Sequence, residues 1–115
     1  MTNLEAFATE LRQFVSERDW AQFHDPKNLA MLLASEVGEL VAEYRWVANA
    51  AADDHSRAAA PHARIADEIG DVGIALLLLC DRTGIDLLQA MFDKLERNRG
   101  RYPVDASRGR AERPE

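Results

Sequence analysis

Glu36 and Glu39 stand three residues apart, and Glu68 and Asp71 repeat that spacing farther along the chain. On a helix, residues three apart share a face, so each pair would set two carboxylates side by side. Both pairs lie in apolar surroundings. At about 100° per residue, Leu29, Leu33, Leu40, Tyr44 and Val47 fall on one stripe, with Glu36 inside it, Glu43 near its edge, and Glu39 on the same side one turn along. Ile65, Ile69, Val72, Leu76 and Leu79 form a second stripe, flanked by Glu68 and Asp71 on the strip that continues to Ala75 and Leu78. An ionised carboxylate against a core costs several kcal/mol unless it is paired or bound to a metal. Two such pairs on facing helices would gather four carboxylates around one point, where a cation must neutralise them. An all-oxygen donor set favours the hard ions Mg²⁺, Mn²⁺ or Ca²⁺. The same spacing also suits solvated helix faces, or ion pairs with Arg64 or Arg45.

Glycine stands beside both pairs. Gly38, Gly70 and Gly73 lie within helical pattern, each at a cost of up to about 1 kcal/mol relative to alanine, and each within two residues of a candidate ligand. Two readings fit: close packing between helices, or close approach of a bulky ligand.

The elements that must carry these residues are helical. Periodicity predicts helices from about Leu4 to Glu17, Asn28 to Val47, His62 to Arg82, and Asp86 to Asn98, with no strand alternation. Asp25-Pro26 reads as an acidic cap followed by a first-turn proline, Thr83-Gly84 as a stop, Asp86 as a cap, and Asn98-Arg99-Gly100 as an end. Residues 48–61 are alanine-rich and read as a connection that carries at most a loose helical turn. The expected fold is all-α, a four-helix bundle, in one domain over residues 1–104, with a mobile tail over 105–115. The segment from Val72 to Cys80 is apolar on nearly every side, which fits a bundle centre or a subunit interface. Cys80, the only cysteine, reads as a small buried hydrophobe, and no intrachain disulfide can form.

Charge and hydropathy narrow the partners. With 20 acidic and 14 basic residues the net charge is −6, which argues against a polymeric nucleic-acid partner. The longest apolar run, Ile74 to Cys80, is far short of a membrane span, and there is no basic-then-apolar leader pattern, so a soluble cytoplasmic protein is expected. A di-iron bundle would need Glu-x-x-His pairs, and none of His24, His55 and His62 follows a glutamate by three. His24-Asp25 has the form of a phosphohydrolase dyad, yet Asp25 there is an ordinary helix cap. A non-catalytic helical dimerisation module is the alternative outside enzymology.

The strings Glu36-Val37-Gly38-Glu39-Leu40, Asp67-Glu68-Ile69-Gly70-Asp71-Val72 and Lys94-Leu95-Glu96-Arg97-Asn98-Arg99-Gly100-Arg101-Tyr102-Pro103 together resemble the MazG-like all-α nucleotide pyrophosphohydrolases. Glu17-Arg18-Asp19-Trp20, Gln22-Phe23-His24 and Pro26-Lys27-Asn28-Leu29 also resemble the dCTP pyrophosphatase-type branch, and the likeness covers roughly residues 4–104. The resemblance implies a dimer or a dimer of dimers. It implies Mg²⁺, with Mn²⁺ as a substitute, held by Glu36, Glu39, Glu68 and Asp71. It implies cleavage of a (deoxy)nucleoside triphosphate, a dCTP-like or modified pyrimidine nucleotide, to the monophosphate and pyrophosphate in a house-cleaning role. One of Glu36 and Glu39 would serve as the catalytic group that orients or deprotonates water. Trp20 and Trp46 match residues around the base, while Lys94, Asn98, Arg99 and Tyr102 match the segment near the phosphates; Arg101 adds positive charge there. Two positions depart from the branch: Leu11 stands where it has a histidine near the base, and Ala75 where it has a tyrosine one turn after the second acidic pair.

Overall fold

The structure is a computed structural model that describes residues 3–112. It holds six helices and no strand among those residues. They are α1 (Leu4–Glu17), α2 (Pro26–Ala42), α3 (Ala52–Arg57), α4 (Ala59–Thr83), α5 (Leu87–Arg101) and α6 (Val104–Ser107). The four expected helices are α1, α2, α4 and α5, to which α3 and α6 add short pieces. The chain divides between Gly84 and Ile85 into two compact units.

The first unit carries α1 to α4. Asn3 opens α1, its side-chain oxygen accepting the Ala6 N–H at 2.9 Å, and Leu11 and Val15 supply its buried face. The helix closes on a left-handed residue, Asp19, with φ 54°. The Trp20 N–H donates back to the Val15 carbonyl and the Asp19 N–H to the Ser16 carbonyl, each at 3.1 Å. That pair of bonds satisfies the last carbonyls of the helix, in the role glycine usually fills. The turn sets Trp20 edge-on to Phe14, with ring centroids 5.6 Å apart, while the Arg18 guanidinium lies over the Phe14 ring at 3.7 Å.

Asp25 caps α2 as the sequence suggests, accepting the Asn28 N–H at 2.9 Å, and Pro26 occupies the first turn, where no N–H is needed. The helix ends at Ala42, short of the expected Val47. There the N–H groups of Glu43, Tyr44 and Arg45 turn to carbonyls only three residues back, tightening the chain. Residues 48–61, read as a connection, hold a 3₁₀ turn at Asn49–Ala51, then α3, and the first turn of α4. Helix α4 therefore starts at Ala59 rather than His62. Pro61 is compatible with that start, because a first-turn residue has no N–H partner to lose. Gly84 closes α4 in the left-handed region, with φ 71°.

Helix α2 packs along α4, and α3 packs on α4 as well. The buried residues of the unit are Leu11, Val15, Leu29, Ile65 and Ala75. Ile69, expected on the core stripe of α4, is 55% exposed. The covered face of α4 is rotated toward Ile65, Glu68, Val72 and Ala75, which brings the acidic strip to the seam. The segment Leu76 to Cys80 is half-buried rather than enclosed, so Cys80 is not a core residue of the single chain. A methyl placed on Gly38, Gly70 or Gly73 would meet no atom within 4 Å among the described residues. Packing inside the chain therefore does not require these glycines.

The second unit carries α5 and α6. Asp86 caps α5, accepting the Gln89 N–H at 2.8 Å. The helix runs through Gly100 to Arg101, one residue past the expected Asn98-Arg99-Gly100 end. Helix α6, Val104–Ser107, spans the boundary expected between the domain and the tail. The last residues of that tail, 113–115, lie outside the described ones.

Candidate functional site

Two neighbouring clusters sit on the α2–α4 seam, and their register can be followed residue by residue. The Glu43 carboxylate accepts from Arg64 Nε at 3.1 Å. Two turns back along α2 from Glu43 lies Glu36, and two turns on along α4 from Arg64 lies Asp71. The helices run in opposite directions, so the same seam that joins 43 to 64 brings Glu36 to Glu68 and Asp71. Each of these three offers one carboxylate oxygen, and the three oxygens lie within 4.8 Å of one another.

That geometry fits a hard divalent cation. Oxygens coordinating Mg²⁺ at about 2.1 Å stand roughly 3–4 Å apart, a distance reached from here by small side-chain rotations. The electrostatics point the same way. Partial burial, and then repulsion from Asp71, Glu39, Asp67 and Glu36, push the Glu68 carboxyl above its ordinary range. Glu39 is exposed and does not join the three converging oxygens, although its charge bears on Glu68. The structure thus brings three of the four expected ligands together and leaves the fourth alongside. No other group of three or more His, Cys, Asp or Glu side chains converges in this way among the described residues. His24-Asp25 is not such a group: Asp25 is engaged as the cap of α2.

Of the expected base-contacting residues, Trp20 is 44% exposed and Trp46 is 90% exposed. Trp46 lies beyond the tightened end of α2, where the Val47 N–H bonds to the Tyr44 carbonyl. Leu11 and Ala75, the two departures from the branch, are both buried in the first unit. Lys94, Asn98, Arg99 and Tyr102 belong to the second unit. There Asn98 and Tyr102 are half-buried, the Tyr102 N–H bonds to the Asn98 carbonyl at 2.7 Å, and Arg99 pairs with Glu96 at 2.8 Å.

Sequence reasoning missed the contacts that tie the end of α2 to α3. Ser56 Oγ donates to the Ala52 carbonyl at 2.7 Å and lies 2.6 Å from the Tyr44 hydroxyl, which leaves Tyr44 as the donor. His55 Nε2 donates to the Glu43 carbonyl at 3.1 Å, and its ring stands edge-on to Tyr44. The available signal was Arg64 as a counter-charge one turn before Glu68, but its true partner is Glu43, not an acidic-pair member.

Comparison with known proteins bears on this arrangement. No family model matches the chain. A pyrophosphatase of known crystal structure from Archaeoglobus fulgidus superposes with a TM-score of 0.80 at 33% identity, covering 90% of this chain and 94% of that one. The chain belongs to the MazG-like pyrophosphatase family. Within this family, dCTP pyrophosphatase 1 of Rattus norvegicus is 41% identical over 99 residues, 86% of this chain. The Homo sapiens protein of that name is 38% identical over 96 residues, 84% of this chain. Both relatives carry the name of the branch that the sequence strings resemble. The chain spans 58% and 56% of the length of those two relatives. No helix among the described residues is long and apolar enough to cross a membrane.

Proposed function

We propose that this chain is a Mg²⁺-dependent nucleoside triphosphate pyrophosphohydrolase, acting on a pyrimidine (deoxy)nucleotide of dCTP-like or modified type within one catalytic domain over residues 1–104. The observation that carries this reading is the convergence of Glu36, Glu68 and Asp71 within 4.8 Å on the α2–α4 seam. The names of the relatives, pyrophosphatase and dCTP pyrophosphatase 1, support the substrate class.

In this reading Glu36, Glu68 and Asp71 hold the cation. When bound, Mg²⁺, or Mn²⁺ in its place, neutralises charge on the triphosphate and lowers the pKa of a bound water. Glu39, exposed beside the three, accepts a proton from the attacking water, with Glu36 as the other candidate for that task. Water oxygen bonds to the α-phosphorus, the bond from that phosphorus to the oxygen bridging to the β-phosphorus breaks, and pyrophosphate departs with the electron pair. Lys94 and Arg99, with Asn98 and Tyr102, bind the phosphates, where charge-assisted bonds are strongest. Trp20 and Trp46 offer ring faces to the base.

The reading includes a homodimer or homotetramer. Its support is the exposed apolar surface of the first unit, including Met31 and Val41 on α2 and Ile69 on α4, together with the open space at Gly70 and Gly73. Apolar patches of this kind mark interaction surfaces.

The test is a pyrophosphate-release screen over natural and modified triphosphates, with Mg²⁺ and with EDTA. Release from a pyrimidine triphosphate that stops in EDTA is expected. No release from any triphosphate at saturating Mg²⁺ would reject the reading.

A further inference from the structure

We propose that the Glu43–Arg64 ion pair is a positioning element for the cation site, fixing the register in which α2 and α4 bring Glu36, Glu68 and Asp71 together; this rests on the Mg²⁺ reading above. Glu43 is the first residue beyond α2 and is held on two sides. Its carboxylate takes the Arg64 Nε–H at 3.1 Å, and its carbonyl takes the His55 Nε2–H at 3.1 Å. The Glu43 side chain is only 18% exposed. The pair therefore ties α2, α3 and α4 at one joint. From that joint the three carboxylates lie one and two helical turns away.

Arg64 stands four residues before Glu68 on α4. One turn of α-helix advances about 5.4 Å, so the guanidinium is one turn from Glu68, close enough to oppose a cation there. If Arg64 acted only through its charge, removing it would tighten Mg²⁺ binding. If it acts by holding register, removing it loosens the carboxylate cluster and weakens Mg²⁺ binding. The two roles predict opposite signs.

The experiment is Mg²⁺ titration of the full chain by isothermal calorimetry, without nucleotide, for wild type, Arg64→Gln, Arg64→Lys and the charge-exchanged double variant Glu43→Arg/Arg64→Glu. Circular dichroism and melting in EDTA accompany each. Loss of one partly covered pair is worth up to about 1 kcal/mol, or roughly fivefold in an equilibrium constant. Arg64→Gln is therefore expected to weaken Mg²⁺ binding about three- to fivefold. Arg64→Lys is expected to retain most of the affinity, and the double variant to regain it to within about threefold. Should Arg64→Gln lose helix content, the double variant and Arg64→Lys carry the test alone. Equal or tighter binding by Arg64→Gln, or a double variant that binds no better than Arg64→Gln, overturns the proposal. A wild-type chain that binds no Mg²⁺ removes the reading of the acidic face and this proposal with it. A wild type that binds, beside an Arg64→Gln that binds equally, removes the positioning role alone.

Discussion

At Glu43 and Arg64 the seam between α2 and α4 closes on opposite charges 3.1 Å apart; two turns along, at Glu36, Glu68 and Asp71, it closes on three charges of one sign. The same two chain segments meet at both places, with Glu43 just past the end of α2 and Glu36 inside it. What differs is whether compensation comes from within the chain. The first cluster is complete as folded. The second raises the pKa of its most crowded member, Glu68, and offers three oxygens that could hold a cation. A like-charge cluster held by a self-sufficient neighbour is what a preformed cation site requires, because the repulsion it contains must be withstood before the ion arrives.

The largest effect expected from this contrast is on turnover. Asp71→Asn should lower pyrophosphate release by about a hundredfold or more, since several kcal/mol of charge stabilisation is at stake. Its melting temperature in EDTA should not fall, because a repelled carboxylate has been removed. Wild-type turnover in this variant would remove Asp71 from the ligand set. Next in size is the response to metal. At Mg²⁺ one hundred times above its dissociation constant, the fold should gain about 2.7 kcal/mol, measured as a rise in urea midpoint that EDTA reverses. A fold indifferent to Mg²⁺ would make the two clusters energetically alike.

A smaller effect concerns pH. The folded Glu68 carboxyl binds its proton more tightly than the unfolded one, whose ordinary value is 4.5. Its contribution to stability is therefore fully present below 4.5 and is lost as pH rises through the raised folded value. In EDTA, Glu68→Gln should be more stable than wild type at neutral pH, and the two should converge as pH falls below 4.5. A gap that widens toward acid would contradict the repulsion inferred at Glu68. Glu43→Gln should cost about 0.5–1 kcal/mol by urea unfolding, the scale of a partly exposed ion pair. The smallest change is expected at Asp19. Replacement by glycine, the residue best suited to a left-handed φ, should stabilise the chain by a few tenths of a kcal/mol at most.

Much of this was legible in the sequence because it depends on local spacing. The three-residue steps Glu36/Glu39 and Glu68/Asp71 announce shared helix faces, and Asp25-Pro26 and Asp86 mark where helices begin. The element boundaries between residues 42 and 61 were less legible. Alanines there suit a helix or a loop equally well, and the early end of α2 is fixed by the Tyr44–Ser56 and His55–Glu43 bonds, which join residues 12 apart. Rotation of a helix about its own axis is similarly hidden. Ile69 matched the apolar stripe by period, but packing against α2 turned α4 so that Glu68 and Ala75 face the seam instead. Glu39 stands beside the three converging carboxylates rather than among them because the covered face of α2 runs through Leu29, Leu33, Glu36 and Leu40. Arg64 could be named as a counter-charge, yet choosing Glu43 as its partner takes the antiparallel register of two helices.

The turn at Asp19 has a consequence for the two indoles. Trp20 is fixed by backbone bonds to the end of α1 and by the ring of Phe14, so little freedom remains for it to lose when something settles on it. No ring pairs with Trp46 among the described residues, and nearly all of its surface is open. Whatever binds there must order the side chain as it arrives, at an entropic cost of about 0.5–1.5 kcal/mol for a mobile side chain. The two aromatic surfaces are thus unequal before any ligand is present: one is a ready-made wall, the other a flap whose closing has to be driven by the guest.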